Sequence, residues 1–299
     1  MRPRLLLLAT FFATLVLSAS LAESSALVFQ SDFGEKDGAV ASMRGVAYGV
    51  SPELKIFDLT HEIPTFDIWA AAYRLNQVAS YWPEGTVFVS VVDPGVGTDR
   101  RSVVLKTKSG HYFVTPDNGT LTLVADELGI AGVREIDEAV NRLKNSEKSY
   151  TFHGRDVYAY TGAKLAAGVI SFAEVGQELE PKVRRMPYAQ PARDKNVILG
   201  NIPILDVHYG NIWTNIPRAL LMELKPEVLE SLLVTITHRD EVVYAQRVPF
   251  VNTFGQVELG QPVIYINDLL NVALALNQGD FATAHSISSG PNWNITLSR

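Results

Sequence analysis

The chain alternates short apolar runs with polar, glycine-containing turns. Ala26–Gln30 is an apolar strand ending in Ser31-Asp32-Phe33-Gly34, and a helical pattern follows from about Gly38 to Gly49. LKIFDLT is a second strand. It feeds a helix that starts near Asp67 and stops near Trp82-Pro83. Thr86–Val92 is almost continuously apolar, as in a strand buried on both faces. Arg101–Lys106 and His111–Thr115 predict a hairpin turned at Ser109-Gly110, and Pro116-Asp117-Asn118-Gly119 turns into a helix ending at Leu128. Another helix follows His153, with Ala163, Ala166 and Ala167 on a small-residue face.

After Gly168 the pattern weakens. EVGQELEPKVRRMPYAQPARDKN is rich in proline and charge and predicts a linker, with a domain boundary near residue 192. Beyond it lie short strand patterns, VILGNIPILDVHYGNIWTNIP, LLVTITHRDEVVYAQRVPF, QPVIYIND and TAHSISS, with one helix over Arg218–Leu224. The fold class is therefore α/β: an N-terminal α/β sheet domain (23–192) followed by a smaller C-terminal β-barrel-like domain (193–299).

The first 22 residues change the picture of location. Arg2 and Arg4 precede an apolar run from Leu5 to Leu17, and Ser20 and Ala22 are small. That is a signal-peptide pattern with cleavage after Ala22, and it predicts an exported, periplasmic protein with no membrane attachment after cleavage. The alternative is an uncleaved anchor. A net charge of -6 disfavours nucleic acid as a partner. With no cysteine, thiolate chemistry and cysteine-built zinc sites are excluded. No His/Asp/Glu cluster has metal-ligand spacing, so neither metal nor cofactor is expected.

Several polar residues sit where chemistry is done. Asp67 and Arg74 are seven residues apart and so leave one helix face. The plain alternative is that Thr65 or Asp67 caps the helix while Arg74 is solvated. Asp32 follows the first strand, where a carboxylate can hold a ribose diol; turn-making and capping explain it equally well. His153 stands before a helix with Gly154 leaving space beside it, and Arg155 and Asp156 are charges able to set its protonation state. Asp206-Val207-His208-Tyr209-Gly210-Asn211 is the most polar element of the second half. Asn267-Asp268 and Asn277-Gln278-Gly279 form further polar turns.

Taken together, SDFGEKDG (31–38), FDIWAAAYR (66–74), VDPGVGT (92–98), PDNG (116–119), TFHGRD (151–156) and DVHYGNIWTNI (206–216) resemble the S-adenosylmethionine hydroxide adenosyltransferases, hydrolytic relatives of fluorinating and chlorinating adenosyl enzymes. The resemblance runs from about Leu27 to Ala284. It implies an Asp–Arg–His set around the attacking water, matched by Asp67, Arg74 and His153. It implies that Asp32 grips the ribose, and that Asp206 and Asn211 contact the methionine and adenine ends. Asn267 and Asp268 stand where the family usually has Asn-Ser. The halogenating relatives carry Ser at the position of Gly154, so glycine points to the hydrolytic branch. The implied assembly is a homotrimer with substrate between the first domain of one copy and the second domain of its neighbour.

The implied reaction is attack of water or hydroxide on the ribose 5′ carbon of S-adenosylmethionine, or a related adenosyl compound, giving adenosine and methionine. The sulfonium leaves as a neutral thioether, so what is needed is a positioned oxygen nucleophile. Arg74 would orient it, and either His153 or Asp67 would take the proton. Export raises a second possibility, because this substrate is a cytoplasmic metabolite. Either it reaches the exported enzyme, or a related compound is used, or the chain is an adenosine-binding protein without turnover.

Overall fold

The computed structural model describes residues 25–299; the expected signal peptide lies outside them. The N-terminal half contains β1 (Leu27–Ser31), α1 (Ala39–Val50), β2 (Ile56–Thr60), α2 (Ile68–Ala79), β3 (Val87–Val91), β4 (Ser102–Thr107), β5 (Tyr112–Pro116), α3 (Thr122–Glu127), β6 (Ile130–Glu135), a π-helical turn at Gly154–Ala159 running into α4 (Tyr160–Ala166), and the short β7 (Glu178–Leu179). They form one seven-stranded sheet in the order β2-β1-β3-β5-β4-β6-β7. β2, β1, β3 and β5 are parallel, while β4, β6 and β7 are antiparallel additions.

β1 and β3 are buried along their whole length, while β2 is a half-exposed edge strand, and the period of two in β1 and β3 divides the core. Leu27 and Phe29 of β1, with Val87, Val89 and Val91 of β3, pack against α1 and α4. Val28 and Phe88 face the opposite layer with Leu75 of α2 and Val124 of α3. Contact is close on the α4 side: a Cβ on Gly162 would lie 2.4 Å from Val89 Cγ2. The chain leaves β1 for β2 on one side and returns to β3 on the other. The carboxyl ends of β1 and β3 therefore flank a topological switch point, the place where open α/β sheets bind ligands.

The C-terminal half contains β8 (Ala192–Asp194), β9 (Val197–Asn201), β10 (Ile204–Leu205), β11 (Ile212–Pro217), α5 (Arg218–Met222), β12 (Ser231–His238), β13 (Glu241–Pro249), β14 (Pro262–Ile266), β15 (Asn271–Leu276), α6 (Phe281–His285) and β16 (Trp293–Ser298). The barrel-like unit is built as two antiparallel sheets, β10-β11-β15-β14 and β13-β12-β16-β9-β8. Ile198, Val234, Ile236 and Leu297 from one sheet meet Ile212, Ile264 and Leu274 from the other in a shared core. A bridge between Phe250 and Ile264 ties the sheets along one side.

Three sequence expectations change. TAHSISS is not a strand: Asp280 caps α6 by accepting from Thr283 N at 2.8 Å, and the helix ends with Ser286 at φ 54°. β6 is a strand that the pattern does not announce, because Ala131 and Gly132 carry no apolar signature. The proline-rich segment is not a free linker. Its backbone donates from Arg184 N to Asp117 Oδ1 (2.7 Å) and from Met186 N to Thr122 Oγ1 (3.0 Å), so it is tied to the turn before α3 and to α3 itself. The two halves also share α2, whose Trp69 donates from Nε1 to Pro203 O at 2.9 Å and packs near Ile204 and Trp213.

Candidate active site

Asp32, His153 and Gly154 meet in one pocket of about 210 Å³ at the carboxyl ends of β1 and β3. Phe33 and Phe152 stand edge to face at 5.7 Å in its wall, and Phe66, Val91 and Asp93 also line it. Asp32 Oδ2 accepts from Phe66 N at 2.9 Å. Phe66 has φ 66°, a left-handed conformation costly for a bulky side chain, and such strain concentrates at functional sites. The loop beneath Asp32 is held by a chain of side chains. Ser31 Oγ lies 2.7 Å from His61 Nδ1, and His61 Nε2 lies 2.9 Å from Asp58 Oδ1, which also pairs with Arg44. Burial alone would raise the Asp58 carboxyl; the bonds from Arg44 and His61 outweigh it and hold it below the ordinary value.

His153 is 6% exposed at the entry to the π-helical turn. Its charged partner is not a sequence neighbour: Arg155 and Asp156 bond to each other, with Arg155 Nε 2.6 Å from Asp156 Oδ1. Arg100 Nη2 lies 2.9 Å from His153 Nδ1. Arg100 is locked in turn, with Nε 3.0 Å from both Asp93 oxygens and Nη2 2.7 Å from Oδ2. Burial, then Arg100 and Arg142, push the His153 imidazole below its ordinary value against the pull of Glu138 and Asp93. Its Nε2 is buried and has no hydrogen-bond partner among the described residues.

The space beside Gly154 is already occupied. A Cβ there would lie 3.0 Å from Val91 Cγ1 and 3.2 Å from Phe33 Cζ, so glycine permits tight packing of the turn rather than opening a void.

Asp67 and Arg74 do not line this pocket. Asp67 caps α2, its Oδ1 accepting from Ala70 N at 2.9 Å, while its neighbour Phe66 lines the pocket. Arg74 lies two turns along α2 and donates from Nη1 to Gln77 Oε1 at 2.7 Å. Burial lowers its guanidinium value, while Tyr73 and Asp206 of the same chain oppose that.

The C-terminal candidates lie elsewhere in the chain. Asp206 Oδ1 accepts from His208 N and Tyr209 N, at 3.0 and 3.3 Å, shaping the turn that leads to Asn211. Asn211 lines a groove of about 980 Å³ with Tyr209, Phe254 and Asp280. Asn267 is buried and holds the β14–β15 turn, its Oδ1 accepting from Leu269 N and Asn271 N at 3.1 and 2.9 Å. Asp268, at the tip of that turn, lines a cleft of about 640 Å³ with Tyr73 and Gln77.

Residues 27–176 match the model of the SAM hydroxide adenosyltransferase N-terminal domain, and residues 200–294 match that of its C-terminal domain. The chain belongs to the SAM hydroxide adenosyltransferase family. It is 35% identical over 232 residues to an (R)-S-adenosyl-L-methionine hydrolase of Methanocaldococcus jannaschii, covering 76% of this chain and 80% of that protein. To the Salinispora tropica protein of the same name it is 32% identical, covering 90% and 96%. A fluorinase of Actinoplanes sp. is 30% identical, covering 90% and 97%. A conserved protein from Thermotoga maritima, solved by crystallography, superimposes with a TM-score of 0.82 at 32% identity, covering 91% of this chain and all of that one. Within this family architecture Asp32, Asp67, Arg74, His153 and Gly154 belong to the first domain, and Asp206, Asn211, Asn267 and Asp268 to the second. Among the described residues no group of three or more His, Asp or Glu is arranged to hold a metal ion. Two residues at the pocket escape sequence reading, Asp93 and Arg100. The signal for Asp93 was its place after β3, but Arg100 sits in a charged DRR run that resembles any solvated turn.

Proposed function

We propose that the chain hydrolyses S-adenosylmethionine to adenosine and methionine, water attacking the ribose 5′ carbon. One observation carries the reading: Asp32 and an otherwise unpartnered His153 Nε2 share one pocket at the switch point of the sheet. A carboxylate can accept from both ribose hydroxyls, and a ring nitrogen can hold an oxygen. The names of the relatives add the sulfonium's (R) configuration as the favoured epimer. Fluorinase chemistry is the poorer fit, since the serine of halogenating relatives would press on Val91 and Phe33 at position 154.

A pocket of about 210 Å³ is below the roughly 300–1,000 Å³ of ordinary ligand sites. In a single protomer it lacks Asp206, Asn211, Asn267 and Asp268. We therefore place the second half of the site on a neighbouring copy in a homotrimer. There Asp206 and Asn211 would contact the methionine and adenine ends, and Asp268 would meet the methionine ammonium. Of the three residues that the resemblance sets around the attacking water, His153 is the one at the pocket; Asp67 and Arg74 lie outside it. No nucleic acid or resident cofactor enters this reading, and S-adenosylmethionine is the substrate. The leader would direct export to the periplasm with cleavage after Ala22, and amino-terminal sequencing of a periplasmic fraction should begin at Glu23.

Purified protein is to be incubated with each separated sulfonium epimer and its products chromatographed. Adenosine and methionine should appear in equal amounts, faster from the (R) epimer. Substrate that is bound but intact would favour the binding-protein reading. Mixing an inactive His153→Ala chain with an inactive Asp206→Ala chain and reassembling them should restore part of the activity if sites span copies. No recovery from correctly reassembled mixed oligomers would place each site within one chain.

A further inference from the structure

We propose that Ser31, His61 and Asp58 form a strut between the loops after β1 and β2, and that His61 is a positioning residue through which this strut aims the Asp32 carboxylate at a ribose diol. The purpose of the strut rests on the ribose-binding role proposed above for Asp32; its geometry does not. Ser31 Oγ lies 2.7 Å from His61 Nδ1, and His61 Nε2 lies 2.9 Å from Asp58 Oδ1. The order and the distances are those of a serine–histidine–aspartate nucleophile set. Position excludes that use. Ser31 is 0% exposed, none of the three residues lines the pocket, and an attacking alcohol must meet its substrate. The three side chains are engaged with one another and serve as structure.

The hydrogens of the strut have one consistent arrangement. Arg44 donates to Asp58 from Nη2 to Oδ2 and from Nε to Oδ1, and it also reaches Glu35 Oε1 at 3.1 Å. A carboxylate paired in this way is ionised and only accepts. His61 therefore donates from Nε2. Its Nδ1 is the acceptor for the Ser31 hydroxyl. The reverse, with Nδ1–H donating to Ser31, leaves the buried hydroxyl hydrogen with no acceptor among the described residues. Ser31 Oγ in turn accepts from Phe33 N at 3.3 Å, so the residues on either side of Asp32 are joined across it. Two main-chain bonds reinforce the strut: Gly34 N donates to His61 O at 2.7 Å, and Ile63 N to Ser31 O at 3.4 Å.

Each end of the strut carries one wall of the pocket. Asp32 and Phe33 directly follow Ser31, and Thr65 and Phe66 come shortly after His61. The walls meet where Phe66 N donates to Asp32 Oδ2. That bond fixes the plane of the carboxylate and leaves Oδ1 free to face a ligand. It depends on Phe66 holding φ at 66°, and a strained residue persists only where its surroundings over-determine it. The strut supplies that constraint by locking the spacing of the two loops. A diol that binds one carboxylate through two hydroxyls tolerates an error of only about 0.5 Å in such a group. Asp32 is the binding residue; Ser31, His61 and Asp58 act through it.

The test compares ligands with and without the diol. Adenosine and 2′,3′-dideoxyadenosine are titrated by calorimetry into the wild type and into Ser31→Ala, which removes only the hydroxyl. The wild type should bind adenosine at least about tenfold more tightly, as expected for hydrogen bonds to a charged group. In Ser31→Ala this preference should shrink by about threefold or more, with the dideoxy affinity nearly unchanged. A variant that weakens both ligands equally, or neither, keeps the ratio and overturns the proposal, because a merely structural role does not distinguish the two. A wild type with no preference overturns it as well, by removing the diol from Asp32. Product formation from S-adenosylmethionine by the wild type, measured alongside, separates the two failures: turnover with an unchanged ratio defeats the strut alone, and a changed ratio without turnover defeats the hydrolytic reading alone. Should Ser31→Ala not fold, the wild-type ring ¹⁵N spectrum decides. His61, assigned by through-bond correlation, should show a protonated Nε2 and a bare Nδ1; a protonated Nδ1 contradicts the strut.

Discussion

The two domains present their polar residues in opposite ways. In the N-terminal domain the charged residues behind the pocket are buried and already satisfied: Asp93 holds Arg100, and Arg100 holds His153. In the C-terminal domain Asp206 spends its carboxylate on its own turn, and Asp268 stands exposed at a hairpin tip beside Leu270, which is 65% exposed. Preorganised groups in dry surroundings suit the reacting centre, where electrostatic effects are strongest. Exposed turns suit the recognition of a substrate's distal parts, and their apolar neighbours Val207 (78% exposed) and Tyr209 (68%) are free to be covered. Stability and recognition should therefore respond to mutation in different halves.

That division can be broken most sharply at Arg100. Replacing it by Met leaves Asp93 buried without its partner, and chemical denaturation should show a loss of about 3–5 kcal/mol. A loss under about 1 kcal/mol would mean that water reaches the pair and that the clamp is not rigid. Gly154→Ser should cost about 1–3 kcal/mol through overpacking against Val91 and Phe33. It should lower hydrolysis without conferring halide transfer, as measured by thermal unfolding and product analysis. Asp67→Ala removes the α2 cap and should cost about 0.5–2 kcal/mol in chemical denaturation. Asp268→Ser, on the exposed tip, should change stability by less than about 0.5 kcal/mol and show itself in KM.

Acid sharpens the same contrast. The carboxyl of Asp58, beneath the Asp32 loop, lies below its ordinary value in the folded state. Its contribution is therefore present above the unfolded carboxylate range and is lost as pH falls through the lower folded value. Asp58→Asn should flatten the acid limb of a stability–pH curve.

What was legible in the chain divides along a related line. Strands and helix starts announce themselves locally, so Asp32 after β1, Asp67 at the α2 cap and His153 before its helical turn were all visible by position. The seven-residue spacing of Asp67 and Arg74 was equally visible, but spacing along one helix says nothing about what lies opposite. The structure gives Arg74 to Gln77 and the neighbourhood of Asp206, and gives His153 to Arg100. That last contact joins the β3–β4 connection to the turn after residue 150, and only the sheet order brings those segments together. Gly154 was found by its motif but misread locally, because the bulk beside it comes from β3 and the β1 loop. β6 was missed because a strand supported by hydrogen bonds to β4 and β7 needs no strong apolar pattern of its own.

The central claim is that a water oxygen, positioned in this pocket, displaces methionine from the ribose carbon. The most direct measurement is incubation of the chain from Glu23 onward with (R)-S-adenosylmethionine in ¹⁸O-labelled water, followed by mass analysis of both products. One labelled oxygen is expected in the 5′-hydroxyl of adenosine, none in methionine, and loss of the labelled product in His153→Ala. Unlabelled adenosine, or labelled product undiminished in that variant, would contradict it.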